Sequence, residues 1–216
     1  MLQFDDLKLE SALLKRVFTQ VVALFDDYPE LFGAVPEAIK NWKITKTVAK
    51  SWYNGTGLPP SVLTNIAEEA LLNTLIHATL KPFLESHAVL LNGLVDQEHW
   101  RHGYCPVCGG SPDFAFLDRD RASRWLFCSR CNAEWLFQRL ECPFCGNEDQ
   151  KSLAYFTDDT GLYRLYVCEK CRHYIKTIDL RQTAADILLP LERLETIDLD
   201  TQAQQKGYRP YGTDAV

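Results

Sequence analysis

The chain has 216 residues, 46% hydrophobic and 24% charged, with a formal net charge of −6. That balance belongs to a globular protein long enough to bury a core, in one or two domains. The acidic charge argues against a general nucleic-acid surface, and polar groups interrupt every long apolar stretch, so no transmembrane segment is expected.

The start, MLQFDDLKLE, has no cationic stretch leading into an apolar run, which points to a reducing cytoplasm. Phe4, Leu7, Leu14, Phe18, Val21 and Phe25 recur by threes and fours, the spacing of one helical face, and Tyr28-Pro29 ends the run. A second helical segment is predicted from about residue 36 to 52, carrying Ile39, Trp42 and Val48 before the breaker string NGTGLPP. A third begins near Ser61 and reaches about Trp100, bent or interrupted at Lys81-Pro82. Residues 1–103 are therefore expected to form an all-α domain.

The period then changes. Eight cysteines stand as four Cys-x-x-Cys knuckles: Cys105/Cys108, Cys128/Cys131, Cys142/Cys145 and Cys168/Cys171. Each knuckle lets two sulfurs approach one ion from the same side, so two knuckles complete a tetrahedron of soft ligands. In the first unit, CPVCGG leads through the strand-like DFAFLD, the turn RDRAS and the strand RWLFC to CSRC. In the second, CPFCGN leads through SLAYFT, DDTG and LYRLYVC to CEKC. Nineteen residues separate Cys108 from Cys128 and twenty-two separate Cys145 from Cys168, each the length of a hairpin that returns to its start. Sequential pairing follows, with one ion on Cys105, Cys108, Cys128 and Cys131 and a second on Cys142, Cys145, Cys168 and Cys171. An interleaved cross-brace stays open, as do disulfides, although a cytoplasmic chain of this length needs no staples. The predicted modules span 104–137 and 138–180, with NAEWLFQRLE as a joining strand. Gly109 and Gly146 are expected to take a positive φ where the backbone turns its amides toward sulfur. Trp125, Phe127, Trp135, Phe144, Tyr166 and Tyr174 are expected to pack around the metal centres.

Other candidate chemistry is sparse. His99 and His102 precede Cys105 but read as surface groups, because eight thiolates already fill two sites. His77 and His87 read as ordinary helix residues. His173 could donate toward a sulfur, though a solvated side chain is the preferred reading. Arg119, Arg121, Arg124 and Arg130, interleaved with Asp113, Asp118 and Asp120, read as a mixed solvated hairpin face rather than a phosphate-binding patch. No catalytic triad, phosphate loop or H-E-x-x-H motif occurs, so the chain is not expected to be an enzyme. Residues 181–216 read as a docking helix and tail, with Asp200 as its cap and Gly207 as its end. Asp186, Glu192, Asp198 and Asp200 form a solvated face or an acidic partner surface.

YCPVCGG, FCSRCNAEW with LFQRL and ECPFCG, VCEKC followed by YIK, and the ending LDTQAQQKGYRP together resemble the FdhE family of formate dehydrogenase accessory proteins, over residues of roughly 104–210. The resemblance implies a cytoplasmic, non-catalytic factor that engages the catalytic subunit of formate dehydrogenase during maturation of its metal centres. It implies an α+β fold, with a helical domain followed by two tandem rubredoxin-like or zinc-ribbon modules and a short C-terminal helix. It also implies two ions, each on four of the cysteines above; four thiolates suit Fe and Zn alike. Neither nucleic acid nor membrane is expected as a partner, and the oligomeric state is not legible. The rival readings are a zinc-ribbon nucleic-acid or transcription module, which should show a basic groove, and a rubredoxin-like electron carrier.

Overall fold

The computed structural model describes residues 1–211, which fall into two compact units: Leu2–His87, and a second that begins at Ala88 and includes Met1. The first unit is helical. A 3-10 turn, Phe4–Leu7, ends at Lys8 in the left-handed region (φ 46°), before α1 (Ser11–Asp27) begins. Phe4 and Leu7 therefore do not lie on that helix as the spacing predicted. α1 buries Leu14, Phe18, Val22 and Phe25, the 3.6-residue period selecting Val22 in place of Val21. After α2 (Pro29–Phe32), the predicted second helix is two, α3 (Glu37–Asn41) and α4 (Lys46–Tyr53). Thr45 separates them by capping α4, its Oγ1 accepting from the Val48 N–H at 3.3 Å.

The third segment divides similarly into α5 (Pro60–Leu63) and α6 (Glu69–Leu91). Pro82 does not interrupt α6. It removes one donor and crowds the preceding turn. Yet Leu72, Leu75, Ile76, Leu80 and Leu84 are fully buried on both sides of it, so packing outweighs the local loss.

In the second unit, six short strands make one sheet: β1 (Pro112–Leu117), β2 (Arg124–Cys128), β3 (Glu134–Phe137), β4 (Leu153–Thr157), β5 (Tyr163–Cys168) and β6 (Tyr174–Asp179). Their order is β3-β2-β1-β6-β5-β4. Neighbours are antiparallel except at the centre, where β1 and β6 pair in parallel, Phe114 opposite Lys176 and Leu117 opposite Asp179. NAEWLFQRLE does not join the modules as a shared strand. Its strand is β3, the outer edge of the first module, and the modules meet through β1 and β6.

Each module is thus a three-stranded meander, and the two repeat by a shift along the sheet, β1, β2 and β3 corresponding to β4, β5 and β6. The registers agree: Cys128 and Cys168 end the middle strands, and Arg124 opposite Leu117 matches Arg164 opposite Thr157. Phe114, Phe116, Phe127 and Ile178 form one core cluster of the sheet; Leu165, Val167, Tyr174, Ala203 and Tyr208 form another.

Two helices, α7 (Leu189–Glu195) and α8 (Ile197–Gln205), follow in place of one docking helix. Asp200 is not the cap of α8; Thr196 precedes the helix and Asp200 lies within it, facing the sheet. There it accepts from the Tyr174 hydroxyl at 2.7 Å and the Lys176 ammonium at 2.7 Å. Gly207 does end the helical turn, at φ 79°.

Candidate metal centre

All four knuckles are built alike. The first cysteine accepts through its carbonyl from the N–H four residues on, as in Gly109 to Cys105 (2.9 Å), Asn132 to Cys128 (3.3 Å), Gly146 to Cys142 (2.9 Å) and Arg172 to Cys168 (2.8 Å). Its own N–H donates to the carbonyl five residues on, in Gly110, Ala133, Asn147 and His173. Closing so short a loop requires a left-handed residue at the fourth position. Gly109 (φ 73°), Asn132 (φ 56°), Gly146 (φ 67°) and Arg172 (φ 60°) supply it. The glycines were legible in the sequence, and Asn132 is the next most tolerant residue. Arg172 carried no such signal.

The structure brings the cysteines together in sequential pairs of knuckles: Cys105, Cys108, Cys128 and Cys131 in one set, Cys142, Cys145, Cys168 and Cys171 in the other, with the sulfurs of each set within 4.8 Å of one another. Cys105 and Cys131 sulfurs are 3.6 Å apart, and those of Cys108 and Cys128 3.5 Å. In the second set the corresponding separations are 3.7 Å, Cys142 to Cys171, and 3.8 Å, Cys145 to Cys168. Sulfurs about 2.3 Å from a common tetrahedral ion lie about 3.8 Å apart, whereas a disulfide needs about 2.05 Å. The donor set therefore fits an ion, and either set could hold one.

The thiols also perturb one another. Thiol contacts from Cys108, Cys128 and Cys131 hold the Cys105 proton far above its ordinary range, while the contact with Cys105 draws Cys108 far below it. Protons shared this way allow part of the set to ionise; four adjacent thiolates require a cation. Burial also pushes Cys142 upward and Cys171 up to about 11. Amides face several sulfurs: Gly110 N–H lies 3.4 Å from the Cys108 sulfur, Arg130 N–H 3.4 Å from that of Cys128, and Asn147 Nδ2 3.7 Å from that of Cys168.

The sets differ in enclosure. All four cysteines of the first are buried, whereas Cys145 is exposed and Cys171 half-buried. Trp135 is fully buried, its indole donating to the His102 carbonyl at 3.0 Å. His173 is not solvated as preferred from sequence; it is buried against the rings of Phe144 and Tyr211. His99 is exposed and pairs with Asp96 at 2.8 Å. The arginine group also departs from the solvated reading at Arg124, which is buried and donates to the Gln138 and Glu141 carbonyls, binding the first module to the approach of the second.

Sequence reasoning missed the part played by the C-terminal segment, which clasps the second knuckle of each module. From α7, Arg193 donates to the Cys128 carbonyl (2.6 Å) and to Asn132 Oδ1 (2.7 Å), with its guanidinium 4.3 Å from the centre of the Phe127 ring. Beyond α8, Arg209 N–H donates to the Arg172 carbonyl at 2.9 Å, and Arg172 reaches back to the Lys206 carbonyl at 2.9 Å. Asn132 and Arg172 occupy the same place in the repeat. Two of the residues read as an acidic surface are likewise committed to the sheet: Glu192 accepts from Tyr163 at 2.6 Å, and Asp200 is described above.

Residues 104–139 match the family described as "FdhE, central domain". The protein FdhE homolog of Aquifex aeolicus is 35% identical over 153 residues, covering 68% of this chain and 53% of that protein. The chain is similar to proteins of the FdhE family. Protein FdhE of Escherichia coli is 27% identical over 138 residues, covering 62% of this chain and 44% of its own. The crystal structure of the FdhE protein from Pseudomonas aeruginosa shares the fold, with a TM-score of 0.59 and 22% identity over 94% of this chain and 72% of that one. The chain spans about half the length of the curated relatives it matches. Among the described residues, no helix is long and apolar enough to cross a membrane.

Proposed function

We propose that this chain is a non-catalytic cytoplasmic accessory protein that binds the catalytic subunit of formate dehydrogenase and assists its maturation. The observation that carries the reading is the pair of four-cysteine sets at tetrahedral spacing on one shared sheet, within a chain similar to proteins of the FdhE family. Each set holds one ion, Fe or Zn, through four thiolates: Cys105, Cys108, Cys128 and Cys131 for the first and Cys142, Cys145, Cys168 and Cys171 for the second. In functional terms, residues 1–103 are the helical part, 104–137 and 138–180 the metal modules, and 181–211 the clasp that holds them; residues 212–216 of the C-terminal segment expected over 181–216 lie outside the described residues.

The ion's contribution is to fix the knuckles and hence the face the sheet presents. A catalytic subunit awaiting buried cofactors exposes surface, and a rigid face that binds it protects that form by mass action. Two filled sites take the formal charge to about −10, which disfavours nucleic acid as a partner. The test is co-purification from the native cytoplasm with elemental analysis of the captured complex. The reading expects about two ions per chain, capture of the catalytic subunit, weaker capture by Cys128→Ser, and little active formate dehydrogenase in cells lacking the protein. Normal enzyme activity in those cells, with no capture by the wild-type chain, would overturn it.

A further inference from the structure

The sheet repeats by a shift, so its two outer edges are different elements. At one end, β3 is covered: the Leu136 N–H donates to Gln97 Oε1 at 3.0 Å, and Trp135 donates to the His102 carbonyl. At the other end, β4 has β5 on one side and, among the described residues, no strand on the other. β4 corresponds to β1, and β1 uses this same edge to pair in parallel with β6. Burial records the difference. From Phe114 to Leu117 β1 is buried throughout, whereas the matching Ala154, Tyr155, Phe156 and Thr157 of β4 are all exposed, Tyr155 at 51% and Phe156 at 41%.

Edge strands are ordinarily protected by charges, proline or a covering segment. Leu153–Thr157, LAYFT, has neither charge nor proline of its own; the cations near it, Lys206 over Phe156 at 4.7 Å and Arg164 over Tyr155 at 5.2 Å, lie against its ring faces. Beside it, over the sheet face, lies a cavity of about 490 Å³ whose walls include the apolar Leu140, Phe144, Tyr155 and Ile175, the charged Arg139, and Cys142 of the second cysteine set. That volume accommodates one or two large side chains. At its wall the Tyr166 hydroxyl and the Arg124 Nε–H are buried with no acceptor among the described residues.

We propose that β4 accepts an extended peptide segment of β-branched and aromatic character, which adds in parallel as β6 adds to β1 and sets an apolar side chain in the adjoining cavity. The molecule itself displays what the equivalent edge of β1 accepts, since β6 reads Tyr-Ile-Lys-Thr-Ile-Asp. Main-chain hydrogen bonds along the edge supply the affinity, and the cavity supplies the preference. A second copy is the less suitable occupant: continuing the repeat would require its β3, whose edge Gln97 covers. The proposal goes beyond the accessory role and does not depend on which protein is the client.

The test uses the full metal-loaded chain and a fluorescein-labelled octapeptide copying residues 173–180, with a scrambled octapeptide as control. Anisotropy should rise saturably for the first and not for the second, and hydrogen exchange should slow at the β4 amides but not at β3. Neighbouring N–H groups on a strand point to opposite edges, so of Ala154→Pro and Tyr155→Pro one removes an outward donor and spares the pairing with β5. That variant should keep its two ions and lose affinity by at least about tenfold. Unchanged affinity in the variant that keeps its ions would overturn the proposal. So would equal binding of the scrambled peptide, or peptide binding without protection of β4. Protection of β4 that rises with protein concentration in the absence of peptide would assign the edge to a second copy instead. If neither proline variant folds, exchange in the wild-type chain decides. Because the probe is synthetic, failure to capture formate dehydrogenase leaves this result intact.

Discussion

Lys176 and Asp200 form the contact that seats α8 on the sheet, and the two ends of this ion pair should not be equivalent. The Lys176 side chain is only 7% exposed and its ammonium has three acceptors: Asp200 Oδ2 at 2.7 Å, the Arg193 carbonyl at 3.0 Å and the Thr196 carbonyl at 3.4 Å. Asp200 is 30% exposed and keeps a second partner, the Tyr174 hydroxyl. Asp200→Ala therefore leaves a buried cation with two neutral carbonyls and removes the acceptor of Tyr174. Stranding one partner of a buried pair costs roughly 3–5 kcal/mol, and the surviving carbonyls place this case near 3. Lys176→Met leaves the carboxylate hydrogen-bonded and open to water, while two carbonyls lose a donor, so about 1–2 kcal/mol is expected. The double variant should be more stable than the sum of the two losses implies, by about 1 kcal/mol, because once the cation is gone little remains to be stranded.

Native-state hydrogen exchange along α8 and β6, followed against urea, would measure this, since the break is local to the docking of the helices. With a slope of about 3 kcal/mol per molar, Asp200→Ala should lower the midpoint by about 1 M. A larger loss for Lys176→Met than for Asp200→Ala, or strict additivity in the double variant, would refute the assignment of the buried ammonium as the vulnerable end.

Other expectations follow from single features. A Cβ at Gly103 would lie 1.8 Å from the Pro143 carbonyl oxygen and 2.7 Å from its carbon, both backbone atoms of the third knuckle, so Gly103→Ala should destabilise the second module by about 1–3 kcal/mol and loosen the ion held by Cys142 and its partners, read as faster release to a chelator. Because Cys145 is exposed while the first set is enclosed, a colorimetric chelator should remove the two ions in two phases, and Cys142→Ser should abolish the fast phase while Cys105→Ser abolishes the slow one. Asp179 is fully buried between Arg181 and Arg164, and the hydrogen bond from Arg181 holds its carboxyl below the ordinary range. Its contribution is therefore complete above the unfolded pKa of about 3.9 and lost as pH falls through the lower folded value, so Asp179→Asn should flatten the acid limb of the stability profile measured by circular dichroism.

The cysteine framework was legible because its physics is local. A knuckle is closed within six residues by its own backbone, and two knuckles joined by a hairpin bring their sulfurs together whatever else the chain does. Helix boundaries in the first unit were less legible. The same apolar spacing serves one long helix or a turn and a helix, and only Lys8 in the left-handed region and Thr45 as a cap decide between them. Register across modules was not legible either. Nothing in NAEWLFQRLE distinguishes a strand that joins two modules from one that closes the first, because a four-residue strand pairs equally well at a centre or an edge. The position of His173 was hidden for a similar reason, since its burial arises from Phe144 and Tyr211, 29 and 38 residues away in opposite directions.

The position of the clasp explains why a chain with two self-contained metal modules should carry a further segment after them. A four-cysteine site holds its own knuckles, but the angle between two modules joined by the short parallel pairing of β1 and β6 would otherwise rest on a few hydrogen bonds. Arg193 grips the second knuckle of the first module, and Lys206 and Arg209 grip the equivalent knuckle of the second. Between these grips lies α8, seated by Lys176 and Asp200 on β6, the strand at the junction. One continuous segment therefore touches both metal sites and the seam between them. Loss of an ion from either module should loosen the clasp at that end while the other holds, so Cys105→Ser should speed hydrogen exchange in α7 more than at Gly207–Arg209, and Cys168→Ser should do the reverse. Equal loosening of both ends by either variant would mean that the clasp and the two sites melt as one unit, and that the modules have no separate mechanical identity.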